Sequence, residues 1–221
     1  MIISNSHKLV LTRPMKVGSS STQAALIGAG IADYHSGTVE NCFDEGFQDT
    51  KLPDGISIPK LNLIHATPDF LHEKGLLTEE MLETYSFIGL IRNPIERFLS
   101  AWIMEVIGGY FLGNSYLKFV KMLEEKDLPY IFTHSCSKDY VSFEGKLLPN
   151  ICYVNTKHLA TELQVVLPEV SLTVPHLKKS VKPTWAARHY KDFLSSKHLT
   201  LLKSLMQDEI IFYETITGEI V

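Results

Sequence analysis

The sequence predicts an α/β fold: a single domain over residues 1–221, with a central, mostly parallel β-sheet flanked by helices. Three observations carry that prediction. Short apolar runs of strand length alternate along the chain with longer stretches at helical spacing. The segments "KVGSSST" and "IRNPIERFLSAW" each stand where a strand hands over to a helix. The composition, 45% hydrophobic and 21% charged over 221 residues, is that of a globular chain long enough to bury a core.

The elements follow in order. The N-terminal "MIISNSHKLVLTRP" opens the core, with a short buried strand at "KLVLT", 8–12, and Pro14 at its exit. Residues 19–29, "SSSTQAALIGA", predict a helix that its leading hydroxyl side chains can cap. Residues 31–59, rich in Gly, Asp, Asn and Pro, predict an irregular surface excursion. A second strand is expected at "KLNLI", 60–64, and a short helix at "TEEMLETY", 78–85, with Thr78 as its cap. "SFIGLI", 86–91, reads as a third strand, and 93–107 as a helix with Pro94 in its first turn, where proline is tolerated. Further on, "YLKFVKMLEE" predicts a helix, "NICYV" a strand and "TKHLATELQVV" a helix. Residues 195–216 predict one or two terminal helices, and no repeat or second domain is marked.

Bulk properties narrow the function. A net charge of −4, from 21 basic and 25 acidic residues, argues against non-specific nucleic-acid binding. The three cysteines, Cys42, Cys136 and Cys152, lack metal-ligand spacing, and an odd count points to free thiols in a reducing compartment. No apolar run approaches the roughly 20 residues that span a bilayer. The expectation is a cytoplasmic protein with no transmembrane segment.

The chemistry concentrates at the two strand-to-helix junctions, where α/β sheets bind ligands. Gly18 permits close backbone approach, Ser19, Ser20, Ser21 and Thr22 offer hydroxyls beside the amides of a helix start, and Lys16 adds a charge. Those features suit a tetrahedral anion; a serine-rich helix cap accounts for them equally well. At the second junction, Arg92 ends a strand and Ser100 follows about two turns along the next helix. Together they suit a second phosphate; the alternative is that Arg92 caps the sheet, Arg97 pairs with Glu96 or Asp139, and Ser100 eases helix packing.

These two segments carry a resemblance. "KVGSSS" and "RNPIERFLSAW" are similar to the Lys-x-Gly-Ser-Ser/Thr-Ser loop and the Arg-x-Pro-x-x-Arg-x-x-Ser-x-Tyr/Trp segment of the sulfotransferases that use 3′-phosphoadenosine 5′-phosphosulfate (PAPS). The closer likeness is to the carbohydrate-type, heparan sulfate 2-O-sulfotransferase-like branch. It extends more weakly to the terminal "DEIIFYE", and covers neither 31–59 nor 108–150.

The resemblance implies a P-loop-like sulfotransferase fold and a cofactor anchored at two ends. Lys16, Val17, Gly18, Ser19, Ser20 and Ser21 are then expected at the 5′-phosphosulfate, and Arg92 with Ser100 at the 3′-phosphate. It implies a hydroxyl-bearing acceptor, a sugar or glycan, and no metal. Lys16 is expected to meet charge on the leaving oxygen, and His65, after "KLNLI", to act as base, since histidine titrates near neutrality. His35, His72 and His134 are rival bases. The basic run 176–191 contains Lys178, Lys179, Ser180, Lys182, Arg188 and Lys191 and reads either as a loop closing on the cofactor, with Lys179 in contact, or as a solvated face. Trp102, Tyr110 and Phe111 read as core aromatics rather than an acceptor cleft. A kinase-like phosphoryl transferase with an atypical loop and a non-catalytic nucleotide-binding module are the alternative functions.

Overall fold

The computed structural model describes residues 1–15, 17–35, 50–51, 57–58, 65–107, 115–125, 136–175 and 194–221. They fall into two compact units, one of residues 1–91 and 137–177 and one of residues 92–136 and 178–221.

The first unit is built on a five-stranded sheet. Its strands are β1 (Ile2–Ser4), β2 (Leu9–Leu11), β3 (Tyr34–His35), β6 (Ser86–Ile91) and β9 (Ile151–Asn155), in the order β3-β1-β2-β6-β9. β2, β6 and β9 run parallel, with Leu11 opposite Ile88 and Ile91 opposite Asn155. β1 turns back from β2 as an antiparallel hairpin and pairs antiparallel with β3 on its other side. The parallel centre is the α/β sheet that the alternating pattern predicts. The hairpin adds a strand, β1, between β2 and β3 that a single run at 8–12 does not announce. Two further antiparallel pairs complete the strands: β4 (Thr50–Lys51) with β5 (Ser57–Ile58), and β7 (Ser142–Phe143) with β8 (Lys146–Leu147). β3, β4 and β5 lie inside the stretch expected to be irregular, whereas the strand expected at 60–64 lies outside the described residues.

Alternation along the strands sorts side chains to two faces. Ile2, Leu9, Leu11, Ile88 and Leu90 pack with Ala25 and Leu26 of α1 (Ser19–Gly28) and Leu163 of α6 (Leu159–Val166). Ile3, Val10 and Phe87 pack on the opposite side with Leu71 of α2 (Pro68–Glu73) and Leu82 of α3 (Glu79–Thr84). Because both faces are covered, β2 and the last five residues of β6 are buried at every position. α2 and α3 are short, and each is started by a threonine hydroxyl: Thr67 accepts from Phe70 N–H and Thr78 from Met81 N–H.

The second unit is helical: α4 (Pro94–Ile107), α5 (Ser115–Glu125), α7 (Ser196–Leu205) and α8 (Gln207–Thr217). Asn93 Oδ1 accepts from the amides of Ile95 and Glu96 and so caps α4. Ile95, Phe98, Leu99 and Trp102 recur at 3, 4 and 7 residue spacings and form one buried stripe with Leu123, Leu194 and Leu202. Among the described residues, no helix is long and apolar enough to cross a membrane. Nor does any cluster of His, Cys, Asp and Glu among them have an arrangement that could hold a metal ion.

Candidate active site

β2 ends at Leu11, and the chain reaches α1 through Thr12, Arg13, Pro14 and the glycine turn. Thr12 is tied down at once, its hydroxyl donating to the Tyr140 carbonyl at 2.5 Å. Gly18 is the residue before α1 and holds φ 75°, ψ 11°, the left-handed region that glycine enters without steric cost. A Cβ built there would stand 3.4 Å from Thr156 Cγ2, at the end of β9, so the turn lies against the β9–α6 connection. The helix start differs from the sequence expectation in one respect. No serine side chain caps it, because the cap position is Gly18, which has none; the Gly18 carbonyl accepts from the amides of Ser21 (3.1 Å) and Thr22 (3.3 Å) and from the Thr22 hydroxyl (3.3 Å). The amides ahead of Ser21 are those that a helix start leaves for an external acceptor. No acidic side chain stands in the first turn to repel an anion.

Arg13 organises this loop from beneath. Its side chain is buried, 4% exposed, and its guanidinium donates from Nη1 to Gln23 Oε1 and from Nη2 to Ser20 Oγ at 3.1 Å. The Ser20 hydroxyl, accepting there, directs its own proton elsewhere as a donor. The main chain of Arg13 meets His65: Nδ1 of that ring lies 2.7 Å from the Arg13 carbonyl oxygen. A carbonyl only accepts, so Nδ1 carries the proton and Nε2 bears the lone pair of the neutral ring.

The sequence-predicted residues therefore divide. Gly18, Ser19, Ser20, Ser21 and His65 belong to the first unit, where Arg13 contacts both Ser20 and His65, and Ser19 is buried. The Val17 side chain is fully buried in the core with Leu11 and Leu26, so only its backbone can serve a ligand. Lys16 and Lys179, like Lys178, Ser180, Tyr110, Phe111 and His134, lie outside the described residues. Arg92 and Ser100 belong to the second unit. There Arg92, half-buried, follows the last residue of β6 in the chain and pairs with Glu96 at 3.5 Å. Arg97 pairs with Glu209 of α8, a partner that neither alternative named. Trp102 is buried core, as expected. The rival His72 is engaged elsewhere, by Glu79 at 3.4 Å and by an edge contact with Phe143. Sequence reasoning missed Arg13, Gln23 and Thr156. The one local signal was an arginine placed between a buried strand and a serine-rich turn, directly before a proline.

A glycine-turned loop between a parallel strand and the helix that follows it defines an α/β protein, and it stands at the carboxyl edge of the sheet, where proteins of this class bind ligands. The chain belongs to the sulfotransferase family, whose model matches residues 1–145. No curated protein and no solved structure matches it at a significant level. The matched stretch includes the loop, His65 and the arginine–serine segment. The family's reaction is sulfuryl transfer, so the protein is a transferase.

Proposed function

We propose that this enzyme transfers a sulfuryl group from PAPS to a hydroxyl of a carbohydrate acceptor, with His65 as general base, and that residues 1–221 act as one sulfotransferase domain. The observation that carries the reading is the presence, in one compact unit, of an amide-rich loop turned by Gly18 and a histidine oriented through Nδ1 by the Arg13 carbonyl. The donor set fits an anionic nucleotide: backbone amides, serine hydroxyls, a guanidinium 3.1 Å from Ser20 Oγ and no carboxylate in the first turn of the helix.

PAPS, when bound, supplies the sulfuryl group and a phosphate leaving group. The amides and hydroxyls of residues 18–21, with the backbone of Val17 and the charge of Lys16, hold the 5′-phosphosulfate and meet the charge that grows on the leaving oxygen. Arg92 and Ser100 are assigned to the 3′-phosphate, Arg as a bidentate donor and Ser as a single one. Lys179 is assigned to the basic run that closes over the cofactor. These assignments rest on the motifs. His65 Nε2 takes the proton of the acceptor hydroxyl as its oxygen attacks sulfur in line. The carbohydrate class of acceptor follows the likeness of both motifs to that branch.

Calorimetry with 3′,5′-adenosine bisphosphate and with ATP–Mg tests the cofactor, and labelled PAPS with glycan and phenol panels tests the acceptor. Tight bisphosphate binding, weakened by Arg92→Ala, is expected. His65→Ala should keep that binding and lose about 10²- to 10⁴-fold in transfer rate. Preferential ATP–Mg binding would move the protein to the phosphoryl transferases. Bisphosphate binding with no acceptor sulfated would make it a binding module, and full activity in His65→Ala would remove the base assignment.

A further inference from the structure

We propose that Arg13 is a positioning residue that locks the anion-binding helix and the His65 ring into one register; for its effect on catalysis this rests on the sulfotransfer reading above. One residue makes both connections. Its side chain reaches α1 through Ser20 and Gln23, on the first two turns, and its carbonyl oxygen accepts a hydrogen bond from Nδ1–H of His65, 52 positions further along the chain.

Two restrictions aim that carbonyl. The direction of a carbonyl is set by ψ of its own residue, and Pro14 next in the chain confines Arg13 to extended values, about +120 to +160°. The guanidinium, buried and forked between an amide oxygen and a hydroxyl, removes the remaining rotation. Any shift of the first turn of α1 is therefore passed through the Arg13 side chain to its backbone, and from there to the imidazole. The Nδ1–H tautomer, which leaves Nε2 as the basic nitrogen, depends on that carbonyl staying where it is. A lysine in place of Arg13 keeps the charge and the apolar stem but cannot make two parallel contacts with fixed geometry.

The test reads the His65 tautomer directly, by ¹⁵N NMR of histidine-labelled protein, alongside kcat and KM. Wild type should show His65 in the Nδ1–H form alone. Arg13→Lys and, should that variant not fold, Gln23→Leu should each give a mixture of both tautomers. Each should also lower kcat about 10- to 100-fold with little change in the acceptor KM. Gln23→Glu, which retains an acceptor for the guanidinium, should restore the single tautomer. A role confined to stability would lower Tm without altering the tautomer. An unchanged tautomer in folded Arg13→Lys or Gln23→Leu overturns the proposal. Should wild type fail to bind 3′,5′-adenosine bisphosphate, the sulfotransfer reading fails, and the tautomer alone still decides for or against Arg13.

Discussion

Arg97 and Glu209 form a buried ion pair, Nη1 to Oε1 at 2.6 Å, joining α4 to the first turn of α8 across 112 positions of sequence. Their side chains are 7% and 9% exposed, so neither charge has bulk water as a substitute partner. Removing one member of a buried ion pair commonly costs about 3–5 kcal/mol, whereas exchanging both for apolar groups of similar volume is often close to neutral. Arg97→Met and Glu209→Leu singly should each lower the urea midpoint strongly, and the double variant should recover most of the loss. A double variant as unstable as the sum of the two singles would remove the pair as the reason for its burial.

Gly18 should be intolerant of a side chain. At φ 75° an L-residue is strained, and a Cβ would already meet Thr156 Cγ2 at 3.4 Å, an ordinary contact. The backbone, not crowding, therefore decides. Gly18→Ala should cost about 1–2 kcal/mol, read by denaturant unfolding, and should weaken 3′,5′-adenosine bisphosphate binding by calorimetry. Gly18→Asn should be milder, since asparagine tolerates this region.

At Gly89 the opposite balance holds. The glycine sits in the middle of β6, and a Cβ would stand 3.0 Å from Val141 Cγ1, 3.1 Å from Ile151 Cγ2 and 3.1 Å from Tyr153 Cδ1. All three are packed side chains, two of them on the neighbouring strand β9. Gly89→Ala should destabilise by about 1–3 kcal/mol through overpacking. Ile151→Val in the same chain should recover part of that, measured as a rise in Tm. The same packing desolvates the Tyr153 phenol, and burial holds its pKa above the ordinary 10.0. Ultraviolet titration should find this tyrosine ionising later than the exposed ones.

Asp33 gives the fold a dependence on acid. Its carboxylate accepts from the Ser6 amide at 3.1 Å and the Asn5 amide at 2.6 Å, bracing the β1–β2 turn. The Ser6 amide acts most strongly and pulls its pKa below the ordinary 3.8; desolvation opposes it, and the Asn5 amide, the Ser6 hydroxyl and His7 add to the lowering. A carboxyl with a depressed folded-state pKa adds stability that is present above the unfolded-state value and fades as pH falls through the folded one. Asp33→Asn should therefore flatten the stability curve below about pH 4 relative to wild type, in urea unfolding across pH 2–6 on the order of one-unit steps. An identical acid limb in both proteins would show that the turn does not need the charge.

Much of the architecture was legible because its signals are local. The run "SFIGLI" is a strand over Ser86–Ile91, and the Ile95, Phe98, Leu99, Trp102 spacing is a helix with one buried stripe. Thr78 is the cap of its helix, and the last stretch resolves into two helices, α7 and α8. Each depends on periodicity or turn chemistry within a dozen residues. The β1 strand was harder to delimit. With only three residues on either side of its turn, the hairpin has too few positions to show a period of its own. The loop "KVGSSST" was legible as a candidate anion site, but the way its helix starts was not. Four hydroxyl residues in a row suggested a side-chain cap, and a left-handed glycine, which has no side chain to offer, occupies the cap position.

By itself the sequence determined the three parallel strands β2, β6 and β9 with the helices that follow them, the position of the glycine turn between β2 and α1, and the family to which that turn belongs. Tertiary structure alone decided who meets whom at a distance: Arg13 with His65, Gln23 and Ser20, Arg97 with Glu209 112 positions away, Gly89 beneath Tyr153. The physical reason is that periodicity and backbone preference act over a turn or two of chain. The partner of a buried polar group is selected by whichever element packing brings beside it, and nothing in the neighbouring residues encodes that choice.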